Sequence, residues 1–317
     1  MARYFRGRVI QMVPLLLGIS VLIFAIIQAA PGGPEGVFLE SGRFIDPSLI
    51  DAFRHRLGLD QPIYIQYLNW LGAVLTGDFG ISFTTGQPVS VMILDRLPAT
   101  LELMAVSFVF AALVALPLGI YSAVRQYSKF DYGATTLSFL GIAMPAFWFA
   151  LILQLVFSVG LGWLPTSGRE TVGDFSLLDQ VKHLILPAIV LSIRHIAGWS
   201  RYMRSSLLDV VRADYIRTAK AKGLRERIIL MRHAVKNAMI PVVSVMALDL
   251  AGLFSGAVIT ETIFAWPGIG QLFVRAMFSR DYPLLMGILM MGSFMVVFYN
   301  LIADIVYGWL DPRISYS

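Results

Sequence analysis

Cysteine is absent from the chain of 317 residues, and charged residues make up only 14% of it. Without cysteine the protein has no disulfide bond, no thiolate nucleophile and no cysteine-ligated metal site, while the redox state of its compartment stays open. In an ordinary soluble domain roughly a quarter of the residues are charged. Here 57% are hydrophobic and the mean hydropathy is +0.72, so the composition indicates an integral membrane protein.

Sequence motifs of nucleotide binding and catalysis are also missing. The chain has no G-x-x-x-x-G-K-[ST] segment, so any nucleotide chemistry must come from a partner. It has no H-E-x-x-H motif and no serine elbow, which disfavours an intramembrane hydrolase. The histidines are scattered over both predicted sides of the membrane, so we expect neither a metal site nor a catalytic residue. They are His55, His183, His195 and His233.

Six apolar runs are present, each long enough for the ~20 residues that a membrane-spanning helix needs. Prolines inside such runs are tolerated in membrane bundles, because neighbouring groups satisfy the freed carbonyls. We therefore predict an all-α integral membrane protein with six transmembrane helices. The runs are Val9–Ala30, Thr100–Val124, Ala134–Leu161, Leu184–Leu208, Ala238–Ile263 and Leu284–Trp309, and they contain Pro14, Pro117, Pro145 and Pro187.

The first run also has features of a signal peptide, since three arginines precede it and two alanines follow it. Its apolar part is longer than the ~7–15 residues of a signal core. Pro31 also stands where the residue after cleavage would lie. We favour an uncleaved helix, so that residues 1–30 form a cytoplasmic N-terminus and the first span.

The distribution of Arg and Lys predicts the orientation in the membrane. With the N-terminus inside, the inner segments hold 16 basic residues, and the outer segments hold 8 that are spread over far more residues. The positive-inside rule therefore puts both termini in the cytoplasm. Ten of the basic residues lie in the loop at residues 201–237, whose net charge is +7. Topology and contact with anionic lipid account for this charge without nucleic acid.

The segment after the first run predicts a folded insertion on the outer side, at residues 31–98. Pro47–Leu57 is expected to form a short helix that ends at Gly58. An amphipathic stripe follows at helical spacing, and we expect it to pack on the membrane or the bundle. Its members are Ile63, Tyr67, Trp70, Leu71 and Val74. Residues 99–309 then form a five-helix core, with a re-entrant helix between Trp266 and Pro283, and residues 310–317 a cytoplasmic tail.

The basic loop at residues 201–237 has a pattern of its own. Helical spacing predicts one helix over Leu207–Lys222, an end at Gly223 and a second helix over Leu224–Ala238. Small residues near the glycine let a backbone approach a partner closely, and the flanking Arg217 and Lys220 offer charge-assisted hydrogen bonds to acidic groups. Such a surface is suited to docking into a groove on another protein.

At this loop the chain resembles the EAA loop of the transmembrane subunits of bacterial ABC importers. The segments "DYIRTAKAKGL", "RHAVKNAMIP", "TETIFAWPGIG" and "RDYP" are similar to those of the oligopeptide, dipeptide and nickel permease subgroup. So are "AAPGGPEG", "LGLDQPIYIQYLNWLGAVLTGDFGISF", "LPATLEL", "MPAFW", "HLILPA" and "DPRISYS". The resemblance covers practically the whole chain and is to the first of the two permease subunits of such systems. It implies the type I ABC importer transmembrane fold.

The resemblance also implies a set of partners and a location in the bacterial or archaeal cell membrane. The partners are a second homologous permease subunit, two cytoplasmic ABC ATPase subunits that bind ATP and Mg, and an extracytoplasmic solute-binding protein. ATP hydrolysis would take place on the ATPase subunits, so this chain would bind no cofactor and would not be an enzyme.

The helix before Gly223 would be a coupling helix that docks into the ATPase and rocks the spans when two ATPases close on ATP. Arg217 stands where the EAA pattern has its glutamate, so a contact that needs this acid does not carry over. His233, Val235 and Lys236 also depart from the pattern. The residues expected to couple to the ATPase are Tyr215, Ile216, Arg217, Thr218, Ala219, Lys220, Ala221, Lys222 and Gly223.

Charged residues inside the spans are candidates for the translocation path. Arg194 and Asp249 both fall near the midplane, where a charge costs ~2.5–3.5 kcal/mol and needs a partner or water. We expect them to pair or to line one cavity, with separate roles as the alternative. Glu102 and Glu261 lie near outer helix ends, where they either serve the outer mouth or accept hydrogen bonds as structural groups.

The function implied is that of a permease subunit forming half of the translocation path for dipeptides or oligopeptides, which an outer binding protein delivers. Nickel or another small solute is the alternative cargo, because the subgroup shares these motifs. A proton-coupled secondary carrier that uses Arg194 and Asp249 is the alternative from a different class. Such a carrier would need no ATPase, and a pH gradient alone would drive it.

Overall fold

The computed structural model describes residues 2–29, 55, 58, 60–174 and 176–310. In these residues the regular secondary structure is helical, apart from an isolated antiparallel bridge between Ile81 and Pro88. In chain order the helices are α1 (Ala2–Gln28), α2 (Ile63–Leu75), α3 (Val89–Val124), α4 (Lys129–Ala143), α5 (Ala146–Leu153), α6 (Leu177–Val211), α7 (Asp214–Ala221), α8 (Glu226–Ile228), α9 (Lys236–Ile263), α10 (Ile269–Phe278) and α11 (Tyr282–Leu310). Two π-helical segments, Gln154–Gly160 and Ile229–Val235, continue α5 and α8.

Five helical stretches of the described chain are long and apolar enough to cross a membrane. A sixth span is obtained when α4 is joined to α5 and its π-helical continuation, although these two parts meet at an angle of 107°. The predicted run Ala134–Leu161 is therefore not one straight helix. Met144 is extended at φ −76° and ψ 126°, because the ring of Pro145 disfavours the α conformation in the residue before it.

Several helices extend beyond the apolar runs that predicted them. Helix α3 begins at Val89 rather than Thr100, and α6 begins at Leu177 rather than Leu184. The side chain of Ser176 accepts a hydrogen bond of 3.2 Å from the Asp179 N–H and caps α6. Hydropathy alone misses these polar first turns, which capping and packing stabilise.

The contacts divide the chain into two compact units. Unit one holds Thr100–Trp266 and the chain from Phe298 onward, while unit two holds Ala2–Ala99 and Pro267–Val297. In unit one, α6 packs against α4 and α9. Its α3 also comes so close to α6 that a Cβ atom on Gly119 would lie 2.5 Å from the carbonyl oxygen of Ser200. This glycine sets the spacing of the two helices, as small residues do in membrane bundles.

In unit two, α1 and α2 pack together through aromatic side chains. The ring centroid of Phe24 lies 5.5 Å from that of Tyr67 and 5.8 Å from that of Trp70. The Tyr67 hydroxyl is also hydrogen-bonded to Ser20 at 2.9 Å. The predicted packing of the amphipathic stripe is confirmed for these residues, whereas Ile63 is 64% exposed. The predicted helix Pro47–Leu57 lies outside the described residues, apart from His55.

A second set of contacts in unit two surrounds the start of α11. Asp281 is fully buried, and its carboxylate accepts hydrogen bonds from the Ser82 hydroxyl and from the N–H groups of Phe83, Thr84 and Leu284. It therefore caps α11 and fastens the loop before α3. Between Trp266 and Pro283 the predicted short helix is present as α10, and its placement in a membrane stays a prediction.

Candidate functional site

Helix α7 lies in the basic loop and is a separate element. The predicted helix Leu207–Lys222 is wrong in one respect, because Ala213 is extended at φ −70° and ψ 147° and separates α6 from α7. The carbonyl of Ala213 accepts a hydrogen bond of 3.0 Å from the Ile216 N–H at the start of α7. Gly223 has a φ of +76° and donates its N–H to the Lys220 carbonyl at 2.9 Å. The predicted glycine end of the helix is thus confirmed.

One face of α7 is buried against the rest of unit one. Ile216 and Ala219 are 1% and 8% exposed and belong to a continuous apolar cluster. The sequence placed both residues at the ATPase contact, but their side chains face the chain's own core, because apolar residues three apart share one helix face. The cluster attaches α7 to the C-terminal part of α6 and the N-terminal part of α9. Its other members include Met203, Leu207, Ile229, Ala234, Ala238 and Val242.

The opposite face of α7 is exposed and basic. The side chain of Arg217 is 79% exposed and lies 3.5 Å from the Asp214 carboxylate, an i,i+3 pair on the surface. Tyr215 is 46% exposed. Lys220, Ala221, Lys222 and Gly223 are exposed as well. Thr218 is exposed too, and its hydroxyl donates to the Asp214 carbonyl at 3.1 Å. This face offers positive charge and one aromatic ring to a partner.

A second group of polar residues lies at the middle of the long helices of unit one. Trp199 on α6 donates its indole N–H to Oδ2 of Asp249 on α9 at 2.7 Å. His195, one turn earlier on α6, has its Nδ1 3.8 Å from the same oxygen. The Trp199 ring is fully buried and packs edge-on against Phe108 at 5.1 Å. The carboxylate is therefore held by α6 in a fixed orientation.

Arg194 is not the direct partner of Asp249 that the sequence suggested. Within the described chain, the basic group inside 4.0 Å of Asp249 is the His195 ring, which carries a charge only when it is protonated. Arg194 itself is exposed. Sequence reasoning missed His195 and Trp199 because neither residue type signals a carboxylate partner on another helix. The available signal in the sequence is that His195, Trp199 and Asp249 all lie well inside predicted spans, where polar groups need partners.

A third group lies at those helix ends of unit one that are predicted to be on the outer side. Glu261 is fully buried and accepts a hydrogen bond of 2.7 Å from the Thr100 hydroxyl. Glu102 is half-buried and pairs with Arg169 at 2.6 Å. The backbone N–H of Gly168, next to this arginine, donates to the Phe264 carbonyl at 2.8 Å. Glu261 therefore links α9 to α3, and Glu102 links α3 to the loop before α6. A role for either carboxylate at an outer mouth stays a prediction.

The start of α4 contributes to a pair that sequence reasoning missed. Arg204 on α6 donates two hydrogen bonds to Asp131 on α4, and Asp131 is 2% exposed. In the sequence, Arg204 is only one of the basic residues whose distribution predicts the orientation in the membrane. The Ser128 cap, whose hydroxyl accepts from the Asp131 N–H at 3.2 Å, was the local signal that places Asp131 at a helix start.

No group of three or more His, Cys, Asp and Glu side chains that could hold a metal ion occurs in the part of the chain that the structure describes. Three of the described polar contacts instead join different helices: Trp199 with Asp249, Thr100 with Glu261, and Arg204 with Asp131. They orient one carboxylate at the middle of the long helices, while the basic face of α7 stays exposed.

Comparison with known proteins identifies the family. Residues 115–316 match the family described as "Binding-protein-dependent transport system inner membrane component", and residues 1–104 match the N-terminal family of such membrane components. The chain is 48% identical to the oligopeptide transport system permease protein AppB of Bacillus subtilis, over all of both chains. It is 41% identical to the di/tripeptide transport system permease protein DppB of Pseudomonas aeruginosa, again over all of both chains.

Solved structures give the same fold at low sequence identity. An inward-facing conformation of the MetNI methionine ABC transporter aligns with a TM-score of 0.58 at 14% identity, covering 69% of this chain and 96% of that one. An amino acid ABC transporter aligns with a TM-score of 0.53 at 11% identity, covering 69% and 94%. The fold is that of the type I ABC importer transmembrane domains. The chain belongs to the family of inner-membrane components of binding-protein-dependent transport systems.

Proposed function

We propose that this chain is one permease subunit of an ATP-driven peptide importer and forms half of its translocation path, with a second homologous permease subunit forming the other half. The relatives that match over their whole length are oligopeptide and di/tripeptide permeases, which supports peptides as the cargo. Two ABC ATPase subunits bind ATP and Mg on the cytoplasmic side, so this chain hydrolyses no ATP. A solute-binding protein delivers the peptide from outside.

The importer lies in the bacterial or archaeal cell membrane with both termini of this chain in the cytoplasm. The excess of Arg and Lys in the inner segments supports this orientation. It puts α7 on the cytoplasmic side, where the ATPase subunits are, and leaves the remaining basic residues of the loop next to anionic lipid.

The observation that carries the proposal is the two-sided character of α7. Its exposed face presents Tyr215, Arg217 and Lys220 to a partner, and its buried face holds Ile216 in the core that α6 and α9 share. A force applied to the exposed face is transmitted to both spans, because packed interiors are stiff and move as a body. Helix α7 is the coupling helix of this mechanism.

Three of the charged residues predicted for the path keep that role in the proposal. Arg194 and Asp249 line the path near its middle, and Glu102 lies near its outer mouth in the pair with Arg169. Glu261 acts indirectly, because its buried carboxylate holds Thr100, two residues before Glu102.

The test is co-purification of the importer from cells that express all of its subunits. Substituting Tyr215→Ala, Arg217→Glu and Lys220→Glu together leaves Ile216 in place and reverses the charge of the exposed face. We expect the ATPase subunits to be lost from the purified complex and ATP-driven peptide uptake to disappear. Arg125→Glu, at an exposed basic residue of another inner loop, is the matched control and keeps both.

A triple variant that retains its ATPase subunits and full uptake would overturn the role of α7. Uptake of peptide into vesicles by a pH gradient alone, without ATP or ATPase subunits, would overturn the importer class and favour a secondary carrier.

A further inference from the structure

The carboxylate of Asp249 is unusual in how its two oxygens are used. Oδ2 accepts the indole N–H of Trp199 at 2.7 Å and has Nδ1 of His195 at 3.8 Å. Oδ1 accepts no hydrogen bond from any residue that the structure describes. The side chain is 42% exposed although the residue is at the middle of α9. One oxygen is therefore hydrogen-bonded by the protein, while the other has no partner in the described residues and is accessible at the surface of the chain.

The positions of Trp199 and His195 are themselves fixed. The Trp199 ring is fully buried, and its centroid lies 5.1 Å from that of Phe108 and 5.3 Å from that of His195. The His195 side chain is 14% exposed. A buried indole whose N–H has one acceptor keeps that acceptor in place, since breaking the bond leaves the N–H unsatisfied. Asp249 is thereby pre-oriented.

Contact with lipid would be unfavourable for Oδ1 of Asp249. A carboxylate at the centre of a bilayer costs ~2.5–3.5 kcal/mol on insertion scales, so such groups face a water-filled space or a polar partner. Arg194, the cation that the sequence suggested as a partner, is outside ion-pair distance, because the basic group within 4.0 Å of Asp249 in the described chain is the His195 ring. The oxygen is left available to a positively charged group that arrives from outside the chain.

We infer that Asp249 is a cation-binding residue of the translocation path, whose open Oδ1 accepts hydrogen bonds from ammonium and guanidinium groups of a passing peptide. This inference rests on the proposed import of peptides. Trp199 and His195 are positioning residues, which hold Oδ2 so that Oδ1 faces the path. The importer then moves a cationic peptide faster than a neutral peptide of the same shape once both have been delivered.

The test uses the complete importer in proteoliposomes, with saturating binding protein loaded with either alanyl-lysyl-alanine or alanyl-norleucyl-alanine. The two tripeptides differ at one side chain, which is cationic in the first and neutral in the second. Normalising initial uptake to loaded binding protein removes the selectivity of the binding protein. We expect Asp249→Asn to lower the ratio of lysyl to norleucyl uptake about tenfold, a factor equivalent to ~1.4 kcal/mol.

Two further variants separate a binding role from a structural one. Trp199→Phe keeps the ring but removes the N–H, so we expect a smaller fall in the same ratio, because the charge remains while its orientation is lost. Asp209→Asn removes an exposed carboxylate near the inner end of α6 and leaves the ratio unchanged. An equal fall in the uptake of both peptides by Asp249→Asn would assign a structural role and overturn the inference.

Other outcomes overturn it as well. An unchanged ratio in Asp249→Asn overturns the inference while leaving the proposed function intact, provided that the wild type imports both peptides. Loss of the second permease subunit from purified Asp249→Asn would show that the oxygen pairs with that subunit. A wild-type importer that moves neither peptide overturns the proposed function and this inference together.

Discussion

Arg204 binds both carboxylate oxygens of Asp131, with its Nε 2.6 Å from Oδ1 and its Nη2 2.7 Å from Oδ2. Asp131 also accepts the Tyr127 N–H at 2.9 Å. The pair fastens the C-terminal part of α6 to the first turn of α4. Arg212 and the extended Ala213 connect α6 to α7, so this pair holds the helix from which the proposed coupling helix continues.

Replacing Arg204 with lysine is expected to destabilise the protein although the charge is kept. A lysine cannot make the two parallel hydrogen bonds of the planar fork, and Asp131 is too buried to recover them from water. We expect a loss of ~1.5–3 kcal/mol, the range for a hydrogen bond to a charged group, measured as a lower unfolding temperature of the detergent-purified complex. Arg212→Lys, at an exposed position of the same loop, is the control. Equal stability of the two variants would contradict this role.

Gly119 gives a prediction about helix spacing. A Cβ atom there would lie 2.5 Å from the Ser200 carbonyl oxygen and 2.7 Å from Cβ of Met203. Gly119→Ala must therefore push α3 and α6 apart, and we expect it to cost ~1–3 kcal/mol, as overpacking does.

Gly198→Ala is the matched control for this substitution. Gly198 is also inside a helix, but a Cβ atom there would have no atom within 4 Å. Alanine in a helix interior is favoured over glycine by ~1 kcal/mol, so this variant is expected to be neutral or more stable. Thermal unfolding of both variants is the measurement. If the Gly119→Ala variant unfolds at a temperature no lower than that of Gly198→Ala, then α3 and α6 can move apart without loss of stability.

The number and order of the spans could be predicted from hydropathy, but the break in the third span could not. Pro14, Pro187 and Pro241 remain inside α1, α6 and α9, whereas Pro145 separates two helices. Proline removes one backbone donor in every case. Whether the helix continues depends on what packs around the freed carbonyl, which is a tertiary property.

Only part of the candidate site could be predicted, because tertiary contacts again decide the rest. Arg217 and Gly223 are recognisable from charge and from the need for a positive φ, both of which are local. The partner of Asp249 was not, because Trp199 precedes it by 50 residues and donates through an indole N–H that has no sequence signature. Ile216 looked like part of a contact surface until the fold showed which side of α7 is covered.

Asp281 provides a prediction for unit two. Its buried carboxylate accepts one hydroxyl and three backbone N–H groups, among them those of Ser82 and Phe83. Asp281→Ala leaves these donors unsatisfied, and each buried unsatisfied group costs ~1–3 kcal/mol. We expect faster amide hydrogen exchange in residues 80–88 and at the first turn of α11. Asp78→Ala, which removes an exposed carboxylate with one hydrogen bond to Gly80, should leave the α11 exchange rate unchanged.

Ile216 tests whether α7 must be attached in order to couple. Its side chain is 1% exposed, and truncation to alanine is expected to cost ~2–5 kcal/mol, the range for large-to-small core substitutions. Because the exposed Tyr215 and Arg217 remain, the ATPase subunits should still bind, while less of their movement reaches α6 and α9. We therefore expect more ATP to be hydrolysed per peptide imported, together with faster hydrogen exchange in α7.

Ile228→Ala is the control for Ile216→Ala, because Ile228 belongs to the same loop but is 42% exposed. It removes the same atoms from the surface, so we expect an unchanged ratio of ATP hydrolysed to peptide imported. An Ile216→Ala importer with wild-type coupling and faster exchange in α7 would show that attachment of the helix is dispensable. Loss of the ATPase subunits from Ile216→Ala would instead show that the buried face is needed for binding itself, since the exposed contacts are intact.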